Sequence, residues 1–368
     1  MFFNRITITA GFALFSMFFG SGNLIFPLSV GRYALDHYMY AIAGLFLTAV
    51  LVPIMGFVGT VFDQGDRHLY FKPLGKKLTF ILTLLMLVLL GPFGVIPRCI
   101  SVSYGGMVGA YPTLDLWHFS LIFCALTGAL IWRPNKVVSI IGVFITPFKL
   151  SGIFFLIVVG IYYAPETMIG NNPAGQVFTH AFVQGYQTMD LLAAFFFGCT
   201  IVSYIHNQIK NTEHRFHLLV RHSFYAGIIG LSLLALAYTG FVVLGASYAL
   251  HLKDIAPESL LVTISGVALG PIAIPIVAYT IFISCLSTAT ILAKLFAEFL
   301  HKDICKQSIS YTHSVILTMI IAFAMSLLGF QTIVNFLAFF LSWLYPLLII
   351  YALYKIVQGI RQYQRVKD

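Results

Sequence analysis

The chain has 368 residues, of which 60% are hydrophobic and only 9% are Asp, Glu, Lys or Arg, against about 25% charged in a soluble domain. With a mean hydropathy of +0.94 and with 35 Phe, 19 Tyr and 3 Trp, most side chains must face lipid or one another, which excludes a water-soluble globular domain. The net charge of +9 is carried by short loops, where it reads as an orientation signal and not as a nucleic-acid surface, so no nucleic-acid partner is expected.

Apolar runs separated by polar punctuation predict an all-α polytopic membrane protein of ten spans, near 6–34, 39–62, 76–110, 117–133, 137–164, 181–205, 216–246, 271–300, 313–329 and 332–356. Spans of about 20 to 25 residues leave no stretch for a separate soluble domain, so residues 1–368 form one transmembrane unit in the lipid bilayer. Arg5 followed by an apolar run without a small-residue cleavage site reads as an uncleaved first span. The five cysteines, Cys99, Cys124, Cys199, Cys285 and Cys305, are scattered and imply neither a disulfide framework nor a zinc site.

The first span, GFALFSMFFGSGNLIFP, is apolar up to Gly20-Ser21-Gly22-Asn23 and apolar again to Pro27. Gly, Ser, Gly and Asn in succession favour an unwound bridge, which is tolerated at membrane depth only where it is buried in protein or lines a cavity. The sixth span, GYQTMDLLAAFFFGC, carries Gln187, Thr188 and Asp190 near its middle. Spans one and six are five apart, so the second half runs inverted to the first. Paired interrupted helices in two inverted halves, here about 6–164 and 181–356, point to a secondary transporter with its site at the midplane.

The basic residues set the orientation. If the N-terminus is cytoplasmic, the inner side holds Arg5, Arg67, Lys72, Lys76, Lys77, Arg133, Lys136, Lys210, Arg215, Arg221, Lys302, Lys306, Lys355, Arg361, Arg365 and Lys367. The outer side holds only Arg32 and Lys253. Sixteen against two predicts both termini in the cytoplasm of a cell whose inner membrane holds the protein.

GFALFSMFFGSGNLIFP, GPFGVIPR at 91–98 and GYQTMDLLAAFFFG at 185–198 resemble the first-, third- and sixth-helix segments of the bacterial branched-chain amino acid:cation symporters, the BrnQ-type family, in that family's order and spacing. The resemblance runs from about residue 7 to 350. It implies a leucine-transporter fold of the amino acid–polyamine–organocation superfamily, importing Leu, Ile and Val with Na⁺ or H⁺ and needing no other cofactor. It also implies two further helices after the tenth, which would lie beyond Asp368, while the ten-helix core is expected in full.

Within that frame, the amides of a restarted half-helix at Gly20, Ser21, Gly22 and Asn23 suit a substrate carboxylate; the bland reading is a glycine packing kink. Ser284, Ser287 and Thr288 share one face of span eight. The fold implies a Na⁺ site between that face and the carbonyls of Ser16 and Phe19, although such hydroxyls also bond back to their own helix. Thr188 and Asp190 lie at the sixth-helix break, Asp190 facing a substrate ammonium or a cation. Tyr104 and Phe196, with Phe195 and Phe197, are candidate pocket aromatics against a plain core reading.

Lys149 in span five is the coupling candidate. In proton-coupled relatives within the larger superfamily a lysine on helix five takes the place of the sodium, whereas here the helix-eight hydroxyls are also present and favour Na⁺. Arg98, placed toward the outer part of span three, reads equally as a structural ion pair or a gate. Lys294 and Glu298, four apart, read as a pair, and His206, His214, His217 and His222 as a solvated basic loop and not a metal site. Beyond Asp190 the expected pocket holds no charged group, which fits a small neutral amino acid and leaves a proton-coupled transporter of another neutral amino acid as the alternative. An intramembrane enzyme would need a convergent acid, base or metal set, and the sequence has no H-E-x-x-H, G-x-S-x-G or paired Asp motif.

Overall fold

The structure is a computed structural model that describes residues 4–132, 146–209 and 215–367. Arg133, Lys136, Lys210, His214 and the start of the fifth expected span (137–145) lie outside the described residues. Among the described residues all regular secondary structure is helical, as a chain in lipid requires when each backbone group must be paired within its own segment. Six stretches are long and apolar enough to cross a membrane: Ser21–Phe62, Lys76–Ala110, Asp190–Gln208, Arg215–Ser247, Ala273–Ile304 and Phe330–Arg361.

The first expected span is two helices, α1 (Arg5–Phe18) and α2 (Ser21–Ala34), interrupted at Phe19 and Gly20. A short turn leads to α3 (Tyr38–Phe46), which widens into a π turn at Leu47–Leu51 before α4 (Val52–Phe62). Pro53 explains the widening, because it lacks the amide that would close on Ala49 and its ring crowds that carbonyl. Beyond a short α5 (Arg67–Phe71), N-capped by Asp66, the third expected span divides into α6 (Lys76–Leu90) and α7 (Val95–Ala110). Hydropathy stays high across this division, but Gly91, Pro92 and Gly94 cannot sustain a helix. Then come α8 (Leu116–Ile131) and α9 (Thr146–Tyr162).

The sixth expected span begins earlier than its apolar run, with α10 (Ala174–Gln184). It passes through a 3₁₀ turn at Gly185–Thr188 and a left-handed Met189 (φ 61°) before α11 (Asp190–Gln208). Next is α12 (Arg215–Ser247), and within a stretch expected to be loop lies α13 (Leu260–Leu269), too short to register as a span. The fold closes with α14 (Ala273–Phe299), α15 (Tyr311–Ser326) and α16 (Phe330–Lys367), the last running well beyond the expected end at 356.

Packing brings the breaks to the centre. Helices α1 and α2 lie against α12, α10 lies against α3 and α11 against α4, while α7 packs along α14. Thus each interrupted helix rests on the helix that follows the other interruption. The α2–α12 approach depends on missing side chains, since a Cβ at Gly31 would overlap the Val242 carbonyl and one at Gly245 the Leu28 carbonyl.

Candidate substrate and ion site

The first break exposes the ends of two half-helices. The amides of Ser21, Gly22 and Asn23 open α2 and have no carbonyl one turn back to pair with. Asn23 Oδ1 accepts the Gly20 amide at 3.1 Å, and its Nδ2 donates to both oxygens of Asp190, at 2.9 and 3.1 Å. Asp190 is the first residue of α11, where a carboxylate is favoured by the helix dipole. Tyr238 of α12 closes the cluster, its hydroxyl donating to Asp190 Oδ2 and accepting from Asn23 Nδ2. All three side chains are buried.

Gly22 faces the second break directly. A Cβ there would stand 3.2 Å from Thr188 Cα and 3.3 Å from the Gln187 carbonyl oxygen. Thr188 spends its own hydroxyl inside the turn, on the Gly185 carbonyl at 2.8 Å.

Arg98 departs from its expected place. Entering α7 just after the Gly91–Gly94 turn, it is fully buried between the two breaks. Its Nε donates to Ser21 Oγ at 3.2 Å and Nη1 to the Gln187 carbonyl at 2.7 Å, with the guanidinium 5.3 Å from the centre of the Phe26 ring. The site therefore holds a cation as well as Asp190, which corrects the expectation of a pocket without further charge. A cavity of about 620 Å³ is lined by Ile25, Phe26, His180 and Gln184 among others, so Phe26 borders both this cavity and Arg98.

The candidate ion residues converge on the other side of the first break. Carbonyls at the end of α1 lack following amides because the helix stops, and a helix C-terminus attracts cations. Lys149 of α9 meets that demand: its buried Nζ donates to the Ser16 carbonyl at 2.9 Å, to the Phe19 carbonyl, and to Ser287 Oγ at 3.4 Å. Ser284 Oγ donates to the Phe19 carbonyl at 3.0 Å and Thr288 Oγ1 to the Met17 carbonyl at 3.2 Å, within 3.5 Å of the Ser16 carbonyl. Ser287 also bonds back to the Ser284 carbonyl at 2.8 Å. Ser16, Phe19, Ser284, Ser287, Thr288 and Lys149 thus share one place, with Lys149 Nζ on oxygens expected for Na⁺.

Two candidates stand apart. Tyr104 is six residues beyond Arg98, about 9 Å along the helix, and its hydroxyl bonds the Leu114 carbonyl at 3.2 Å. Phe196 is buried in α11 nearly two turns past Asp190 and makes none of the site's polar contacts. Lys294 and Glu298 pair at 3.7 Å as expected. Tyr238 had no local signal: its role appears only once α12 lies across both breaks.

The family described as "Branched-chain amino acid transport protein" matches residues 4–367. The branched-chain amino acid permease BrnQ of Escherichia coli (strain K12) is 32% identical over 305 residues, covering 80% of this chain and 68% of the relative. BrnQ of Bacillus subtilis (strain 168) is 30% identical over 309 residues with the same shares, and BraB of that organism 29% identical over 358 residues, covering 94% and 78%. Among solved structures, Mhp1, a nucleobase-cation-symport-1 family transporter with bromovinylhydantoin bound, aligns with a TM-score of 0.63 at 15% identity, over 94% of this chain and 77% of that one. MhsT in complex with L-phenylalanine aligns with a TM-score of 0.56 at 17% identity, over 90% and 80%. These structures share the fold. The chain is therefore a multi-pass membrane transporter and not an enzyme, and it belongs to the family of branched-chain amino acid transport proteins.

Proposed function

We propose that the protein imports Leu, Ile and Val by alternating access, as ten spans in two inverted halves, about 6–164 and 181–356. The observation that carries this reading is the meeting of two helix interruptions through Asn23 and Asp190. The reciprocal packing of α1 and α2 on α12, and of α10 and α11 on α3 and α4, supports the repeat. The substrate carboxylate lies on the amides of Ser21 and Gly22, and the ammonium faces Asp190. The cation bias supports an inner-membrane protein with both termini cytoplasmic.

The coupling ion on this reading is a proton carried by Lys149. Its ammonium already satisfies the carbonyls of Ser16 and Phe19, and a sodium ion there would face a like charge at contact distance. The hydroxyls of Ser284 and Thr288 donate to carbonyls of the α1 end, which holds α14 against the break. Proton loss from Lys149 withdraws the cation from α1 and frees that half-helix to move.

Counterflow tests the substrate class. Proteoliposomes preloaded with unlabelled Leu, Ile or Val should take up labelled leucine, and those preloaded with Lys or Glu should not. Absence of counterflow with all three branched-chain amino acids, from folded protein, contradicts the reading.

A further inference from the structure

Arg98 and Asp190 are both buried, and among the described residues neither has an oppositely charged side chain within 4.0 Å. Buried charges inside membrane proteins are ordinarily paired with one another or serve a ligand. Asp190 is held by neutral donors, Asn23 and Tyr238, and Arg98 by neutral acceptors, Ser21 Oγ and the Gln187 carbonyl. The site thus presents one cation and one anion, without a direct ion pair between them, at the two breaks, the complement of a zwitterion.

We infer that Arg98 is the residue that selects for the free α-carboxylate of the substrate. A guanidinium has five N–H groups in a planar fork, and two of those on Arg98 have protein acceptors. Its Nη2 lies beside Gly22, 2.7 Å from where a Cβ would stand, so a carboxylate set on the Gly22 amide would come within reach of the fork. Two parallel N–H···O bonds to one carboxylate are the strongest geometry arginine offers, and the guanidinium keeps its charge at any physiological pH. Ser21 and Gln187 hold the fork between the breaks, and the oxygens of a bound substrate would take part of that hydrogen bonding. Phe26 lies with its ring centre 5.3 Å from the guanidinium carbon and also lines the neighbouring cavity.

This inference rests on the amino-acid reading above, and its test separates the two. Purified protein in detergent is titrated with labelled leucine, with unlabelled leucine and leucinamide as competitors; leucinamide keeps the ammonium and the side chain but lacks the carboxylate. Wild type should bind leucinamide more weakly by on the order of a hundredfold. In Arg98→Gln that ratio should fall by about tenfold, since the guanidinium is gone while the Ser21 and Gly22 amides still favour a carboxylate. Arg98→Lys, which keeps the charge without the fork, should give an intermediate ratio and stands in should the glutamine variant not fold. A ratio unchanged from wild type in either folded variant overturns the inference and makes Arg98 a structural tie between the breaks. Failure of wild type to bind leucine at all overturns the amino-acid reading itself, and the inference with it.

Discussion

The Nζ of Lys149 lies 2.9 Å from the backbone oxygen of Ser16, in the last turn of a helix that ends at Phe18. That carbonyl has no amide to accept because the helix stops, so the lysine supplies both the missing donor and a charge suited to a helix C-terminus, worth roughly 0.3–1 kcal/mol when exposed and up to about 2 when buried. One side chain joins α9 to α1 and, through Ser287, to α14. Any change in its charge is felt next to the first break.

Replacement of Gly22 tests the close approach of the two breaks. A side chain there meets Arg98 Nη2 at 2.7 Å and the backbone of Gln187 and Thr188 at 3.2–3.3 Å. The guanidinium tip yields, whereas the turn backbone does not. Gly22→Val should reduce leucine uptake by at least about a hundredfold, the scale of loss from a small misplacement at a binding centre, while membrane expression and elution profile stay at wild-type level. Full transport by this variant would remove the breaks from the substrate path.

A nearly buried ion pair lies at the end of α4. Lys355 of α16 pairs with Asp63 at 2.8 Å, both nearly buried, beneath a cluster in which Tyr351 donates to the Tyr70 carbonyl at 2.5 Å and stacks on Phe71. Burial pushes the Asp63 carboxyl up against the pull of Lys355, so the pair is costly to keep dry and costlier to break. Lys355→Met alone should destabilise by about 3–5 kcal/mol, and adding Asp63→Asn should restore most of that. Thermal unfolding of both variants decides it; a double variant no better than the single one shows that the charges are not coupled.

Topology is open to labelling. Single cysteines replacing exposed Asn171 and Gln307, in a background without the native five, should react with an impermeant maleimide in intact cells at 171 only, and at 307 only after the membrane is opened. The reverse pattern inverts the protein.

Asp36 ties the turn after α2 to the segment before α10. The Gly170 amide donates to its Oδ1 at 2.9 Å, and this bond, helped by adjacent His37, holds the carboxyl below the usual carboxylate range. A depressed carboxyl stabilises its contact above the unfolded value, about pH 3.9, and loses that contribution as acid protonates it. Amide exchange at Gly170, relative to Asp36→Asn, should show protection at neutral pH that is lost as the pH falls through the lowered Asp36 titration. Equal protection in both proteins at neutral pH would show that the carboxylate does not hold the loop.

The two breaks were legible in part: Gly20 and the Gln187–Thr188 turn interrupt the helices, whereas Ser21, Gly22 and Asn23, expected in an unwound bridge, form the first turn of α2, and Asp190 opens α11. Met189, which actually takes the left-handed conformation, was not legible, since methionine has no preference for it. The division of the third span escaped because hydropathy reports polarity and not curvature, and Gly91, Pro92 and Gly94 sit within a run that stays apolar. For Arg98 the sequence reported depth but not direction, and only the packing of α7 against α2 turns it inward. The Asn23–Asp190–Tyr238 cluster joins three distant segments and has no local signature.

The central claim is that the Lys149 ammonium is the coupling cation of a leucine transporter, and accumulation of labelled leucine in proteoliposomes tests it most directly. Wild type should concentrate leucine under an inward proton gradient in sodium-free buffer and gain nothing from an inward sodium gradient at equal pH, while Lys149→Ala should keep counterflow and lose accumulation. Accumulation driven by sodium alone, unaffected by a protonophore and retained in Lys149→Ala, would contradict the account.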